Sequence, residues 1–371
     1  MTYISTNLIW TVGPQIFSAG VFQFRWYTVL LLAGILLVRW LFLKKVSGLA
    51  GSGNGWDGWF IRAVAVSVIL ARLVHVLLFQ PYLFRLKPLQ VLLPFDFSGG
   101  FRFLGTEGFS AWGALAGLML VIWWASRRSG VSFRQLSGLV LPLWLLLMGF
   151  VRLGDFLNSE GYGRATESPA GVVFARPELN GLMKVPCCVM RTPDGENPLV
   201  KVHAVKGVTL VHQKTGFRPV IMYLWFKPDI NEQVAQEFII GDVKGYLFDH
   251  PDHFYEPGDE PIHYTLFQEK DGSFIGRIQT IGVARHPLAI YEMCFFLLAF
   301  FSLMRLRQLP LEARGGWALV ILSLGQFLFG FLSFVEKPLI GPLSTVQLTA
   351  LVFLLIGAAM VAASRRTRLV G

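Results

Sequence analysis

The stretch Leu139–Arg164, LVLPLWLLLMGFVRLGDFLNSEGYGR, begins as apolar chain and ends in charge. No ionisable side chain occurs before Arg152. Then Arg152, Asp155, Glu160 and Arg164 arrive together with Asn158 and with Gly154, Gly161 and Gly163. Crossing ~30 Å of hydrocarbon takes about 20 predominantly apolar residues in a helix. The run therefore predicts a membrane span over Leu139–Phe156 that opens into a polar, glycine-rich segment at the membrane boundary. Glycines there permit sharp turns and close backbone approach.

Six further apolar runs flank this one, near Val21–Phe42, Trp59–Phe79, Phe109–Ala125, Pro287–Met304, Trp317–Val335 and Thr345–Ala363. The 371 residues are 54% hydrophobic and only 15% charged, against roughly 25% charged in a soluble domain. The expected fold class is an all-α polytopic membrane protein of about seven transmembrane helices with an inserted β-rich periplasmic domain. Basic residues set its orientation. Lys44 and Lys45, then Arg127, Arg128 and Arg134, then Arg305, Arg307 and Arg314, and finally Arg365, Arg366 and Arg368 fall on one side if the N-terminus is outside. The C-terminus is then cytoplasmic, and topology accounts for the net charge of +10 without nucleic acid. No basic segment or small-residue cleavage site accompanies the first run, so the first span is expected to stay.

From about Ala165 to Ala284 the chain turns polar. Strands are expected at Val200–Val205, Val220–Trp225 and Tyr264–Gln268, with turns at Pro193-Asp194-Gly195 and Lys270-Asp271-Gly272. Asp249–Glu260 is acidic and reads as a solvated loop. Three parts are expected: residues 1–164 with helices one to four, 165–284 as the inserted outer domain, and 285–371 with helices five to seven and a cytoplasmic tail. Cys187 and Cys188 are adjacent and Cys294 lies in an apolar run, which predicts neither a disulfide framework nor a zinc site.

Ionisable residues inside spans face cavities or partners and point to function. Arg72 and His75 share a face of the second span, Arg152 lies in the outer part of the fourth, and Glu292 one turn into the fifth. Arg25 and Arg152 could instead snorkel to headgroups. The charges of Arg152–Arg164 could also be a helix-to-loop junction that pairs with itself. The functional alternative is a phospholipid headgroup site, since guanidinium forks suit phosphate.

The run Arg152-Leu153-Gly154-Asp155-Phe156-Leu157-Asn158, followed by Glu160 and Gly163-Arg164, resembles the signature of the bacterial prolipoprotein diacylglyceryl transferases. Further similarities follow in order: Arg25-Trp26-Tyr27, Ala71-Arg72-Leu73, Gly108–Ala114, Arg285-His286-Pro287-Leu288-Ala289-Ile290-Tyr291-Glu292, and Thr345-Val346-Gln347-Leu348. The resemblance touches nearly every span and leaves out most of the insert. It implies an inner-membrane transferase that moves the diacylglyceryl group of phosphatidylglycerol to the lipobox cysteine of a prolipoprotein signal peptide and releases glycerol phosphate. It implies no cofactor and no metal. By the match, Arg152 is catalytic, and Tyr27, Arg72, Asn158, Glu160, Gly163 and Arg164 bind lipid and phosphate.

Three positions depart from the family pattern. Trp112 stands where the family has a His before the Gly matching Gly113, and indole cannot accept a proton. Phe329 and Ser333 stand where the family's sixth span carries an Arg and a Glu, and a shift by one gives Leu328 and Leu332, still without charge. Asp155 replaces an Asn, and beside a phosphate site it needs an arginine partner such as Arg152 or Arg164. His286 is the leading replacement base for the thiol, with a capping or packing role as the competing explanation for it; Glu292 and Glu160 are further candidates. These departures leave room for two more functions. One is an impaired paralogue that acts as a lipid- or lipoprotein-binding membrane module, with the insert contacting a periplasmic partner. The second is a different transferase acting on phospholipid headgroups.

Overall fold

A computed structural model of the chain describes residues 8–19, 22–50, 55–88, 91, 95–96, 102–103, 108–186, 196–207, 216–306, 308–334 and 338–370. Cys187, Cys188, the expected turn at Pro193-Asp194-Gly195, Arg307 and the side chains of Arg365, Arg366 and Arg368 lie outside the described residues. In chain order the elements are β1 (Leu8–Trp10), β2 (Gln15–Ala19), β3 (Phe22–Arg25), α1 (Trp26–Ala50), α2 (Trp56–Phe79), α3 (Leu83–Leu86), β4 (Phe95–Asp96), β5 (Arg102–Phe103), α4 (Ala111–Ser129), α5 (Phe133–Leu157), β6 (Val172–Phe174) and α6 (Arg176–Leu182). They continue as β7 (Leu199–Lys206), β8 (Phe217–Phe226), α7 (Glu232–Glu237), a π-turn (Phe238–Val243), α8 (Lys244–Asp249), β9 (Phe254–Tyr255), β10 (His263–Gln268) and β11 (Phe274–Val283). The chain closes with α9 (Leu288–Arg305), α10 (Leu311–Gly330), β12 (Pro338–Ile340), β13 (Leu343–Ser344) and α11 (Thr345–Val370).

Among the described residues six helices are long and apolar enough to cross a membrane: α1, α2, α5, α9, α10 and α11. A helix also stands at the remaining expected run. That helix, α4, has 19 residues, but Trp112, Trp123, Trp124, Arg127 and Arg128 dilute its apolar character. Two boundaries move. Residues 22–25 pair with β2 as a hairpin instead of opening the first helix, and α10 stops at Gly330 instead of running to Val335. The expectation of a purely helical membrane portion also misses the β2–β3 hairpin and β1, whose partner β6 lies far along the chain.

The chain divides into two compact units. One comprises Leu31–Phe150, Cys294–Gly330 and Lys337–Gly371. Its apolar core includes Leu115, Leu136, Leu143, Leu145, Phe296 and Leu319. Within it α4 starts at Ser110, whose Oγ accepts from the Gly113 amide. A Cβ on Gly113 would fall 2.5 Å from the Leu70 carbonyl oxygen, so α2 and α4 meet backbone to backbone there. Trp112 is buried and stacks on Phe353 at 4.9 Å. Its indole is a core side chain, in keeping with its lack of a basic nitrogen. Arg72 is also in this unit, buried, and donates from Nη1 to the Gly108 carbonyl at 3.1 Å. Phe329 packs edge-on against Phe295.

The other unit comprises Met1–Leu30, Val151–Met293 and Phe331–Glu336. Its sheet has the order β10-β11-β8-β7, with β9 pairing the far end of β11. All these pairings are antiparallel. The three expected strands correspond to β7, β8 and β10, and the expected turn at Lys270-Asp271-Gly272 joins β10 to β11 with Gly272 at φ 87°. Alternation along β8 sends Val220, Met222, Leu224 and Phe226 into a core shared with Ala235, Phe238, Ile239 and Val243 of the helical segment that follows. Residues 165–284 are thus mixed α and β. The acidic stretch Asp249–Glu260 is not wholly solvated: it contains β9 and buries His253 and Glu256.

Candidate active site

Arg152 lies one and a half turns before the end of α5. Its Nη1 donates to Asp155 Oδ2 at 2.8 Å, one turn along the same helix, and its Nε forms an ion pair with Glu292 Oε2 of α9 at 2.6 Å. Asp155 and Glu292 are both buried. Exposed ion pairs contribute little, but a half-buried cation held by two buried carboxylates is fixed in orientation, and its loss strands them. Arg152 is therefore tied to carboxylates of two helices. The local charge of the three groups is one negative.

Gly154, between Arg152 and Asp155, admits the first turn of α1. A Cβ there would sit 3.0 Å from Tyr27 Cδ2 and 3.1 Å from its Cα. Tyr27 thus lies against the signature helix, within electrostatic reach of Arg152, Asp155 and Glu160. Beyond α5 the backbone turns sharply. Ser159 has φ 60° and Gly161 has φ 65°; the first is a left-handed conformation that a non-glycine residue adopts at a cost. Asn158 Oδ1 and Ser159 Oγ are buried there with no hydrogen-bond partner among the described residues. Glu160 and Arg164 are exposed, and Gly163 is buried.

Main-chain bonds then stitch this loop to two other segments. The Gly163 amide donates to the His286 carbonyl at 2.9 Å, the Arg164 amide to that of Leu332 at 2.8 Å, and the His286 amide to that of Arg164 at 3.1 Å. The Ala289 amide, in the first turn of α9, donates to the Gly161 carbonyl at 3.0 Å. Ser333, expected inside the sixth span, instead bridges to Gly163 beyond the end of α10. Arg164 Nε reaches the Ser333 carbonyl at 3.3 Å. The parallel pair β1–β6 brings Trp10 against Phe156 with ring centroids 4.5 Å apart, and Phe174 and Tyr162 complete this apolar floor.

His286 is half-buried, and its Nδ1 lies 3.4 Å from the Tyr291 hydroxyl. If Nδ1 carries the proton toward Tyr291, Nε2 is left as the acceptor. The structure thus gathers Tyr27, Arg152, Asn158, Glu160, Gly163, Arg164 and His286 in one unit, together with Asp155 and Glu292. Arg72 belongs to the other unit and is described with it. Arg25 is exposed at the end of β3.

Sequence reading misses three contributors. Arg285 is buried and sits over the rings of Phe334, at 3.8 Å, and Tyr162, at 5.4 Å. His253 is buried edge-on to Tyr162 at 4.6 Å, and burial together with Arg285 pushes its imidazole down to about 3, so it stays neutral. Burial and the nearby Asp252 carboxylate raise the Tyr162 phenol, against the opposing effect of Arg285. Ser159 is the third. Arg285 could have been noticed from its place beside His286, but nothing periodic marks His253 within an acidic run.

Several proteins named phosphatidylglycerol–prolipoprotein diacylglyceryl transferase are similar to this chain. That of Pseudoalteromonas atlantica is 31% identical over 168 residues, 44% of this chain and 55% of that protein. That of Nitratidesulfovibrio vulgaris strain DP4 is 30% identical over 168 residues, covering 44% and 59%. One from Vibrio cholerae is 30% identical over 169 residues, covering 44% and 57%. The chain spans a little over half the length of these relatives. The family profile described as prolipoprotein diacylglyceryl transferase reaches much further, over residues 14–363, and takes in every segment of the site around Arg152 except β1. The chain belongs to the prolipoprotein diacylglyceryl transferase family.

Proposed function

We propose that this protein transfers the diacylglyceryl group of phosphatidylglycerol to the cysteine thiol of a prolipoprotein lipobox. The observation that carries this is the orientation of Arg152 by Asp155 and Glu292, beside a loop that presents Arg164 and the buried polar atoms of Asn158 and Ser159. The thiolate is the nucleophile. His286 Nε2 takes the thiol proton while Nδ1–H points to Tyr291. The sulfur then forms a bond to the glyceryl carbon, and the carbon–oxygen bond to phosphate breaks with its electron pair on oxygen. Arg152 and Arg164 offset the charge of the departing glycerol phosphate. Tyr27, Asn158, Glu160 and Gly163 line the headgroup side, and Arg72 is assigned to the lipid.

The same reading places the chain in a bacterial inner membrane with α4 as a seventh span, the N-terminus outside and the C-terminus cytoplasmic. Residues 165–284 then form a periplasmic domain between the parts 1–164 and 285–371, with a face for a periplasmic protein partner. A second reading rests on Trp112, stacked in a core, and on the excess negative charge around Arg152. In it the protein binds phospholipid or lipoprotein without transfer.

Purified protein incubated with phosphatidylglycerol and a lipobox peptide decides between them. The transferase reading expects a thioether product that disappears in Arg152→Ala and in His286→Gln. Phosphatidylglycerol bound without product leaves the binding module.

A further inference from the structure

We propose that Arg285 is a positioning residue for headgroup recognition, one that ties the outer domain to the signature loop. This rests on the assignment of Gly163 and Arg164 to the headgroup site. Arg285 is 3% exposed, and among the described residues its side-chain hydrogen bonds run to main-chain carbonyls. Nε donates to the Asp252 carbonyl at 2.6 Å and Nη1 to the Gly163 carbonyl at 3.4 Å. The guanidinium plane covers Phe334 at 3.8 Å and Tyr162 at 5.4 Å. Its own amide and carbonyl exchange bonds with Val172 at 2.9 Å each.

One side chain therefore touches three separate stretches: the turn before β9, the signature loop at Tyr162-Gly163, and the segment after α10. Arg164 hangs between the last two, through Leu332 and Ser333. Burying a cation without an anion is unfavourable unless fixed dipoles replace its hydration. Here two carbonyls and two ring faces do so, with the Asp252 carboxylate adding attraction from nearby, and only a planar fork can engage both carbonyls and both rings at once. An ammonium on a lysine stem keeps the charge but cannot bridge Asp252 and Gly163 while stacked. The consequence is that the placement of Arg164 depends on the turn Asp252-His253, where His253 packs on Tyr162. Headgroup affinity then varies with how the outer domain is seated.

The test uses the full chain in detergent. Phosphatidylglycerol binding is titrated by native mass spectrometry, and transfer to a lipobox peptide is measured alongside for Arg285→Lys and Arg285→Ala. Loss of a charge-assisted bond predicts phosphatidylglycerol Kd and KM raised about tenfold in Arg285→Lys. The peptide KM is unchanged and kcat stays within about twofold. A wild-type Kd in Arg285→Lys overturns the proposal. So does a parallel change of kcat and both KM values that follows the folded fraction. Should the wild-type chain form no thioether, the transferase reading fails by itself, and the Kd comparison still decides the role of Arg285. If Arg285→Ala does not fold, Arg285→Lys and Phe334→Leu, which removes the ring 3.8 Å away, carry the same comparison.

Discussion

Arg152 shares two carboxylates, so its replacement does more than remove a phosphate contact. Arg152→Ala leaves Asp155 and Glu292 facing each other in a buried place. The expected loss of stability is about 3–5 kcal/mol, read by thermal denaturation, together with loss of transfer. Asp155 is the more specific probe. Asparagine keeps an acceptor for Arg152 Nη1 and removes one negative charge beside the proposed phosphate position. Asp155→Asn is expected to tighten phosphatidylglycerol binding by roughly tenfold, ~1.4 kcal/mol; unchanged or weaker binding in the same titration counts against a phosphate there. At Ser159, with φ 60°, glycine relieves the left-handed conformation. Ser159→Gly is expected to raise stability by roughly 1 kcal/mol, measured by denaturant titration. The carriers of charge inside helices were legible because lipid makes them expensive. His253 and Arg285 were not, because their burial comes from contacts far along the chain.

At the level of elements, the signature loop behaves as a strand-like strap between residues 284–289 and 331–334. Gly163 is the position that lets it lie there: a Cβ would fall 2.7 Å from the Leu332 carbonyl oxygen and 2.9 Å from His286 Cβ. Gly163→Ala should push these segments apart and lower stability by about 1–3 kcal/mol. Phosphatidylglycerol KM should rise more than the KM for peptide, a split that steady-state kinetics resolves. Helices α1, α2, α5, α9, α10 and α11 were readable because apolar length alone specifies them. The exit of α10 at Gly330 was not, since the apolar residues that follow serve the strap instead of the span. Likewise β1 pairs with β6 by a parallel register, Leu8 with Val172, and no local pattern announces a partner that far away. In β11, alternation was present, but the glycines Gly276 and Gly282 interrupt it; they make room for Ile239 and Val173.

At the scale of the whole molecule, the unit that holds the site also holds buried titrating groups in the sheet domain. Burial raises the Glu256 carboxyl to about 7, partly offset by the Thr280 hydroxyl that donates to Oε2 at 3.2 Å. Between its ordinary value near 4.5 and about 7 the folded state binds the proton more tightly, so Glu256 lowers stability as pH rises through that window. His253 acts oppositely. Its imidazole is held down to about 3, so the unfolded chain takes up a proton first as pH falls below about 6.5, and stability is lost in acid. Glu256→Gln removes the first effect. Its advantage over wild type should grow from pH ~4.5 to ~7 and then level off at up to about 3 kcal/mol, at roughly 1.4 kcal/mol per pH unit. Thermal scans across pH measure this, and a constant difference contradicts it. The central claim concerns chemistry, and paired product analysis tests it most directly. Purified protein, phosphatidylglycerol and a lipobox peptide should give thioether-linked diacylglyceryl peptide and free glycerol phosphate in equal amounts, with neither from a peptide whose cysteine is serine. Bound phosphatidylglycerol with no thioether and no glycerol phosphate would contradict the transferase account.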